Sequence, residues 1–289
     1  MGRANVATGM EIEYETFGNP DDPALLLIMG LTAQMTVWPD DFVRILAKQH
    51  HVIRFDNRDC GLSTKLDGVT VDPMAVAAAA LTDQPLPEVP YTLSDMAADA
   101  AGLLDVLGID RAHIVGASMG GMIAQTFAIE HPERTLSLTS IMSQPGDPDV
   151  GQATPEAIVV LLTPPPTDRQ AYVDAAANGR VWSSKKYFDL ELERTRAGRN
   201  FDRSFCPDGG PRQLAAIYAS GRRSEALSKL ATPTLVIHGR DDTLIAPSGG
   251  LRTAELIDGA HLLLLADMGH DLPEPLWPII TDTILSHTR

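Results

Sequence analysis

Short apolar runs recur along the chain with amphipathic stretches between them, and the two alternate in a regular order. Met10–Phe17 (MEIEYETF) alternates apolar with polar positions and stops at Gly18-Asn19-Pro20, which predicts a half-buried strand near a sheet edge and then a turn. Ala24–Met29 and His51–Asp56 are instead mostly apolar, the pattern of strands covered on both faces. A helix is expected between them around Asp40–Gln49. Leu93, Met96, Ala97, Ala100, Leu103, Leu104 and Leu107 fall at helical spacing, with Thr92 or Ser94 as N-cap and Gly108 as the stop. A strand over Ala112–Gly116, a helix over Met119–Ile129, and strands over Leu136–Met142, Thr234–His238 and Leu262–Ala266 complete the series. Strands alternating with helices predict the α/β class: a mostly parallel central sheet with helices on both faces and right-handed crossovers.

Two stretches break the alternation. Pro145 to about Lys229 holds helical patterns, among them Tyr172–Ala177, Ser184–Arg196 and Arg212–Ser220, and no convincing strand, so it reads as a helical insertion. Lys65–Tyr91 carries the apolar run Val76–Leu81 and then Pro85, Pro87 and Pro90, and is expected to be a mobile flap.

Composition narrows the function classes. With 289 residues the chain is long enough for one large α/β domain or a core with one insertion. A net charge of −15 with 23 scattered basic residues argues against nucleic acid, which needs clustered Lys and Arg. Cys60 and Cys206 are the only cysteines; they exclude a disulfide scaffold, give no zinc spacing and suit a reducing cytoplasm. The N-terminus has no apolar signal core, and no apolar run is long enough to span a bilayer, so the expected protein is cytoplasmic and not membrane-bound. Whether it forms a homo-oligomer stays open.

Gly116-Ala117-Ser118-Met119-Gly120 matches G-x-S-x-G, the turn that lifts a nucleophilic serine above a sheet edge. A strand is predicted to end at the motif and a helix to begin just after it, as that turn requires, so Ser118 is the candidate nucleophile. A serine hydroxyl needs a histidine base oriented by a carboxylate. Of eight histidines, His270 alone sits just past the end of the last predicted strand. His261 precedes that strand, His238 lies inside a strand, His287 lies in the terminal helix, His131 ends a helix, and His50, His51 and His113 sit at strand starts. The acid is expected after the preceding strand, where Asp241 and Asp242 are adjacent and neighbouring side chains of an extended segment point opposite ways.

An attacked ester carbonyl becomes an oxyanion, and two fixed backbone N–H groups should face it. Met119 N–H is the first. The second is expected from Met29-Gly30-Leu31-Thr32, as Leu31 N–H.

Together these motifs resemble the α/β-hydrolase family over about residues 10–145 and 229–289. The stretches LLLIMGLTAQMTVWPDDF (25–42), HVIRFDNRDCGLST (51–64) and GASMGG (116–121) are similar to the aclacinomycin methylesterase branch, a neighbour of the cofactor-free haloperoxidases and small bacterial esterases. That resemblance implies a hydrolase core over 1–145 and 229–289, a helical cap over 146–228, Asp242 as triad acid in His-Gly-x-x-Asp, and hydrolysis of a small-molecule carboxylic ester with neither cofactor nor metal. The usual His-Gly at the oxyanion turn is Met29-Gly30 here, as in the methylesterase-like branch. The same three residues would also serve a lactonase, a C–C hydrolase, a perhydrolase, or a ligand receptor with incidental turnover.

Overall fold

A computed structural model describes residues 2–289. Its eight strands are β1 (Gly2–Asn5), β2 (Glu11–Phe17), β3 (Ala24–Ile28), β4 (His51–Phe55), β5 (Ala112–Ala117), β6 (Thr135–Ile141), β7 (Thr234–Gly239) and β8 (His261–Leu265). They form one sheet in the order β1-β2-β4-β3-β5-β6-β7-β8. β1 and β2 pair antiparallel at one edge and the remaining strands run parallel. Strand order therefore reverses between β3 and β5, leaving a crevice beyond their carboxyl ends, where ligands bind in open α/β sheets.

The helices are α1 (Asp40–Leu46), α2 (Pro73–Leu81), α3 (Leu93–Val106), α4 (Met119–Glu130), α5 (Pro155–Leu162), α6 (Arg169–Ala175), α7 (Leu190–Arg203), α8 (Gly209–Ala219), α9 (Ser224–Leu227), α10 (Pro247–Leu256) and α11 (Trp277–His287). Period-2 alternation explains how one apolar strand serves two layers. Leu26 and Ile28 of β3 pack with Met96, Leu103, Ile123 and Phe127 of α3 and α4. Leu25 and Leu27 face the other way, onto the side of Trp38, Phe42, Ile280 and Ile284. Among the described residues no helix is long and apolar enough to cross a membrane.

Every regular element between β6 and β7 is helical, as the absence of strand patterning there predicts. The bounds differ where side chains set them. The helix expected from Ser184 begins at Leu190, because Asp189 caps it by accepting the N–H groups of Glu191 and Leu192, and it runs on to Arg203. Ser184 instead donates its hydroxyl to the Asp267 carbonyl. The helix expected at Tyr172 starts at Arg169 under an Asp168 cap. The segment read as a flap contains α2, started by Asp72 and Pro73, with Val76 and Ala77 buried and the helix packed on α8. An alanine-rich run makes a good helix and offers a small-residue face for close packing.

Buried ion pairs pin the insertion to the segment after β4. Asp59 takes both Nε and Nη2 of Arg212 on α8, at 2.8 and 2.7 Å, and the Tyr91 hydroxyl at 2.7 Å. Asp56 receives Arg203 of α7 at 2.8 Å and the N–H groups of Met35 and Leu62. Removing one partner of such a pair leaves an uncompensated buried charge, at a cost of roughly 3–5 kcal/mol.

Candidate active site

Ser118 stands between β5 and α4 with φ 59° and ψ −125°, a conformation that costs a non-glycine residue roughly 1–3 kcal/mol and persists only when its surroundings impose it. They do. Its N–H donates to the Ile141 carbonyl at 2.9 Å, and its carbonyl accepts Gly121 N–H at 2.9 Å and the Ser143 hydroxyl at 2.8 Å. Gly120 is required by packing, since a Cβ there would lie 2.1 Å from the Ile28 carbonyl oxygen. That contact draws α4 onto the end of β3 and sets the serine over the crevice.

His270 follows β8 and brings Nε2 to 2.9 Å from Ser118 Oγ. Its Nδ1 lies 2.7 Å from Asp242 Oδ2. Ser118 and His270 are half-buried and Asp242 is buried. Asp242 Oδ1 accepts the N–H groups of Leu244 and Ile245, each at 2.9 Å, which fixes the carboxylate within its own loop. Burial pushes this carboxyl up, but the neighbouring His270 and His238 outweigh that and hold it at about 2. Asp241 points elsewhere, with its carboxylate 3.7 Å from Lys185 Nζ and its N–H on the Met268 carbonyl. Of the two adjacent aspartates, the fold brings Asp242 to His270.

The turn after β3 abuts the serine. A Cβ on Gly30 would come within 2.9 Å of Ser118 Cβ and 3.2 Å of its Oγ, so the glycine makes room for the side chain. Among the described residues, the N–H groups of Leu31 and Met119 donate to no protein acceptor. Met119 follows Ser118 directly, and Leu31 follows Gly30, whose backbone abuts the Ser118 side chain.

Three further contributors were given no role at the site by the sequence reading. His238 lies inside β7 with Nε2 2.8 Å from the Ile245 carbonyl and 3.4 Å from Asp242 Oδ2. Its place as a polar side chain inside an otherwise apolar buried strand, and as the first residue of His-Gly-x-x-Asp, is the sequence signal for it. Asn57 Nδ2 donates to the Met29 carbonyl at 2.8 Å. The insertion also grips both loops that bear Asp242 and His270. The Trp182 carbonyl accepts His270 N–H at 2.6 Å, the Val181 carbonyl accepts the Thr243 hydroxyl at 2.7 Å, and Ser184 N–H donates to Asp271 at 3.0 Å. Among the described residues no cluster of His, Cys, Asp and Glu is placed to hold a metal ion.

Comparison with known proteins agrees with this architecture. A family model described as alpha/beta hydrolase fold matches residues 23–274. A rhodomycin D methylesterase of Streptomyces peucetius is 30% identical over 95% of this chain and 94% of its own. Among solved structures, a meta-cleavage product hydrolase of Pseudomonas fluorescens superposes with a TM-score of 0.78 at 21% identity, covering 99% of this chain and 97% of that one. An enol-lactonase of Burkholderia xenovorans gives 0.74 at 24% identity, covering 99% of both. At those identities the two structures share the fold and no more is inferred from them.

Proposed function

The chain belongs to the α/β-hydrolase family, and from that premise we propose that it hydrolyses the ester of a carboxylic acid and a small alcohol, a methyl ester above all, through an acyl-enzyme on Ser118. The observation that carries the reading is the unbroken line of contacts from Ser118 Oγ through the His270 ring to Asp242, at 2.9 and 2.7 Å. The methylesterase relative, similar along nearly the whole chain, supports the choice of ester.

An ionised Asp242 accepts Nδ1–H of His270, which selects the tautomer whose Nε2 lone pair faces the serine hydroxyl. Ser118 Oγ attacks the ester carbonyl as its proton passes to Nε2, and the imidazolium is stabilised by the carboxylate behind it. The carbonyl oxygen gains the electron pair and is met by the N–H groups of Leu31 and Met119. Collapse expels the alcohol, which takes the proton from His270. Water then repeats the sequence on the acyl-enzyme, releasing the acid and restoring Ser118. The strained backbone at Ser118 holds Oγ ready for attack without rearrangement.

The insertion over 146–228 serves as the cap of this site, and the free thiols of Cys60 and Cys206 support a reducing, cytoplasmic setting. The test is a panel of p-nitrophenyl esters beside methyl esters of polycyclic acids, run on the parent and on Ser118→Ala with a fluorophosphonate label. The parent should turn over a methyl ester and take the label at Ser118, and the variant should do neither. Wild-type turnover in Ser118→Ala, or labelling of another serine, overturns the assignment.

A further inference from the structure

Gln213 is a polar residue of the insertion with no exposed surface, and it spends both ends of its side chain on backbone groups of the core. Its Oε1 accepts Thr32 N–H at 2.7 Å, and its Nε2 donates to the Arg58 carbonyl at 2.8 Å. Thr32 is the last residue of the turn that carries Leu31 N–H. It has φ 57°, a region that β-branched residues rarely adopt, so the turn needs an external restraint.

The restraints are all in view. Asn57 Nδ2 holds the carbonyl of Met29 at one end of the turn, and Gln213 Oε1 holds the N–H of Thr32 at the other. Ala33 N–H closes the turn onto the Gly30 carbonyl at 3.2 Å. The preceding residue, Arg212, is clamped by Asp59 through two hydrogen bonds, so the start of α8 is fixed where Gln213 needs it. Gly210, one turn earlier on α8, faces the Thr32 methyl, and a Cβ there would lie 3.1 Å from it.

We propose that Gln213 is a positioning residue for oxyanion binding: from the insertion, it sets the peptide planes of the Gly30–Thr32 turn so that Leu31 N–H points at the reacting carbonyl. This rests on the esterase reading above and extends it. Docking of the insertion and assembly of the oxyanion site become one event, because the acceptor that shapes the turn arrives on α8. Gln213 touches no reacting atom, so its effect should appear where charge develops and not where the ground-state ester binds.

The test is Gln213→Met, which keeps the length and loses both polar ends, with Gln213→Glu, which keeps an acceptor for Thr32 N–H. Each is assayed for kcat and KM on the parent's best ester, for inhibition by a trifluoromethyl ketone, which adds Ser118 Oγ to form a tetrahedral oxyanion, and by the product carboxylate, which forms no adduct. Gln213→Met should lower kcat by about 10- to 100-fold with KM within about threefold, and weaken the ketone far more than the carboxylate. Gln213→Glu should recover kcat to within about threefold of the parent. Should Gln213→Met fail to fold, the Glu variant decides alone. Parent-like kcat in the Met variant, a Glu variant no better than about 10-fold below the parent, or equal losses for ketone and carboxylate overturn the inference. An inactive parent would instead bring down the esterase reading beneath it.

Discussion

Asp242 Oδ2 lies 2.7 Å from His270 Nδ1, while Asp241, one residue earlier, turns its carboxylate to Lys185. Adjacent side chains leaving an extended segment diverge, so only one of the pair reaches the imidazole. Asp242→Asn should fold normally and lose about 10³- to 10⁴-fold in kcat, since an amide no longer selects the Nδ1–H tautomer. Asp241→Asn removes a partly exposed ion pair, worth at most about 1 kcal/mol of stability, and should retain most activity. Steady-state kinetics on the two purified variants check the ranking, and the reverse order would move the acid to Asp241.

His238 shares Asp242 with His270, and its Nε2 also reaches the Ile245 carbonyl. His238→Leu leaves both buried acceptors without that donor and loosens the carboxylate. The expected loss in kcat is about tenfold, equivalent to roughly 1.4 kcal/mol, with little change in KM. A KM effect with kcat preserved would show that His238 shapes binding and does not position the acid.

Gly269 precedes His270 and packs directly under the insertion. A Cβ there would sit 2.3 Å from the Trp182 carbonyl oxygen and 2.4 Å from the Ser183 carbonyl carbon, both backbone atoms with little freedom to retreat. Gly269→Ala should therefore lower stability by about 2 kcal/mol or more and displace His270 as well, so thermal melting and kcat should fall together. A variant that melts like the parent would show that the insertion is not firmly seated on this loop.

The pH dependence of stability should come in part from the far end of the sheet. Burial, with the neighbouring His50 and His287, lowers His113 to about 4 from 6.5. Burial lowers His50 and His287 as well. Between pH 6.5 and 4 the unfolded chain binds a proton that the folded His113 refuses. This contribution is therefore complete above pH 6.5 and is lost as the pH falls towards 4. His113→Gln should narrow the difference in unfolding free energy between pH 7 and pH 4.5. An unchanged difference in denaturant titrations would place the acid sensitivity elsewhere.

Much of this arrangement was legible residue by residue. The apolar runs at Ala24–Met29, His51–Asp56 and Ala112–Gly116 predict buried parallel strands, and β3, β4 and β5 occupy them. Ser118 and His270 follow from chain order and strand ends, because a nucleophile and base must both rise at the carboxyl edge of the sheet. Edge strand β1 and helices α2, α5, α9 and α10 are not predicted by the patterning. β1 and α9 are only four residues long, and α2, α5 and α10 begin at Pro73, Pro155 and Pro247, which reads as loop as readily as helix start.

What the sequence determined by itself was whatever depends on periodicity and local backbone demand: the order of strands and helices, the turn at Ser118, and the glycine at Gly30. The tertiary structure alone decided the partners. Arg212 with Asp59, Gln213 with Thr32 and the Trp182 carbonyl with His270 N–H are separated by 153, 181 and 88 positions along the chain. Hydrogen bonds over such distances leave no trace in spacing, since loop closure lets any polar side chain of the insertion meet any part of the core, and burial chooses among them only after the sheet has formed.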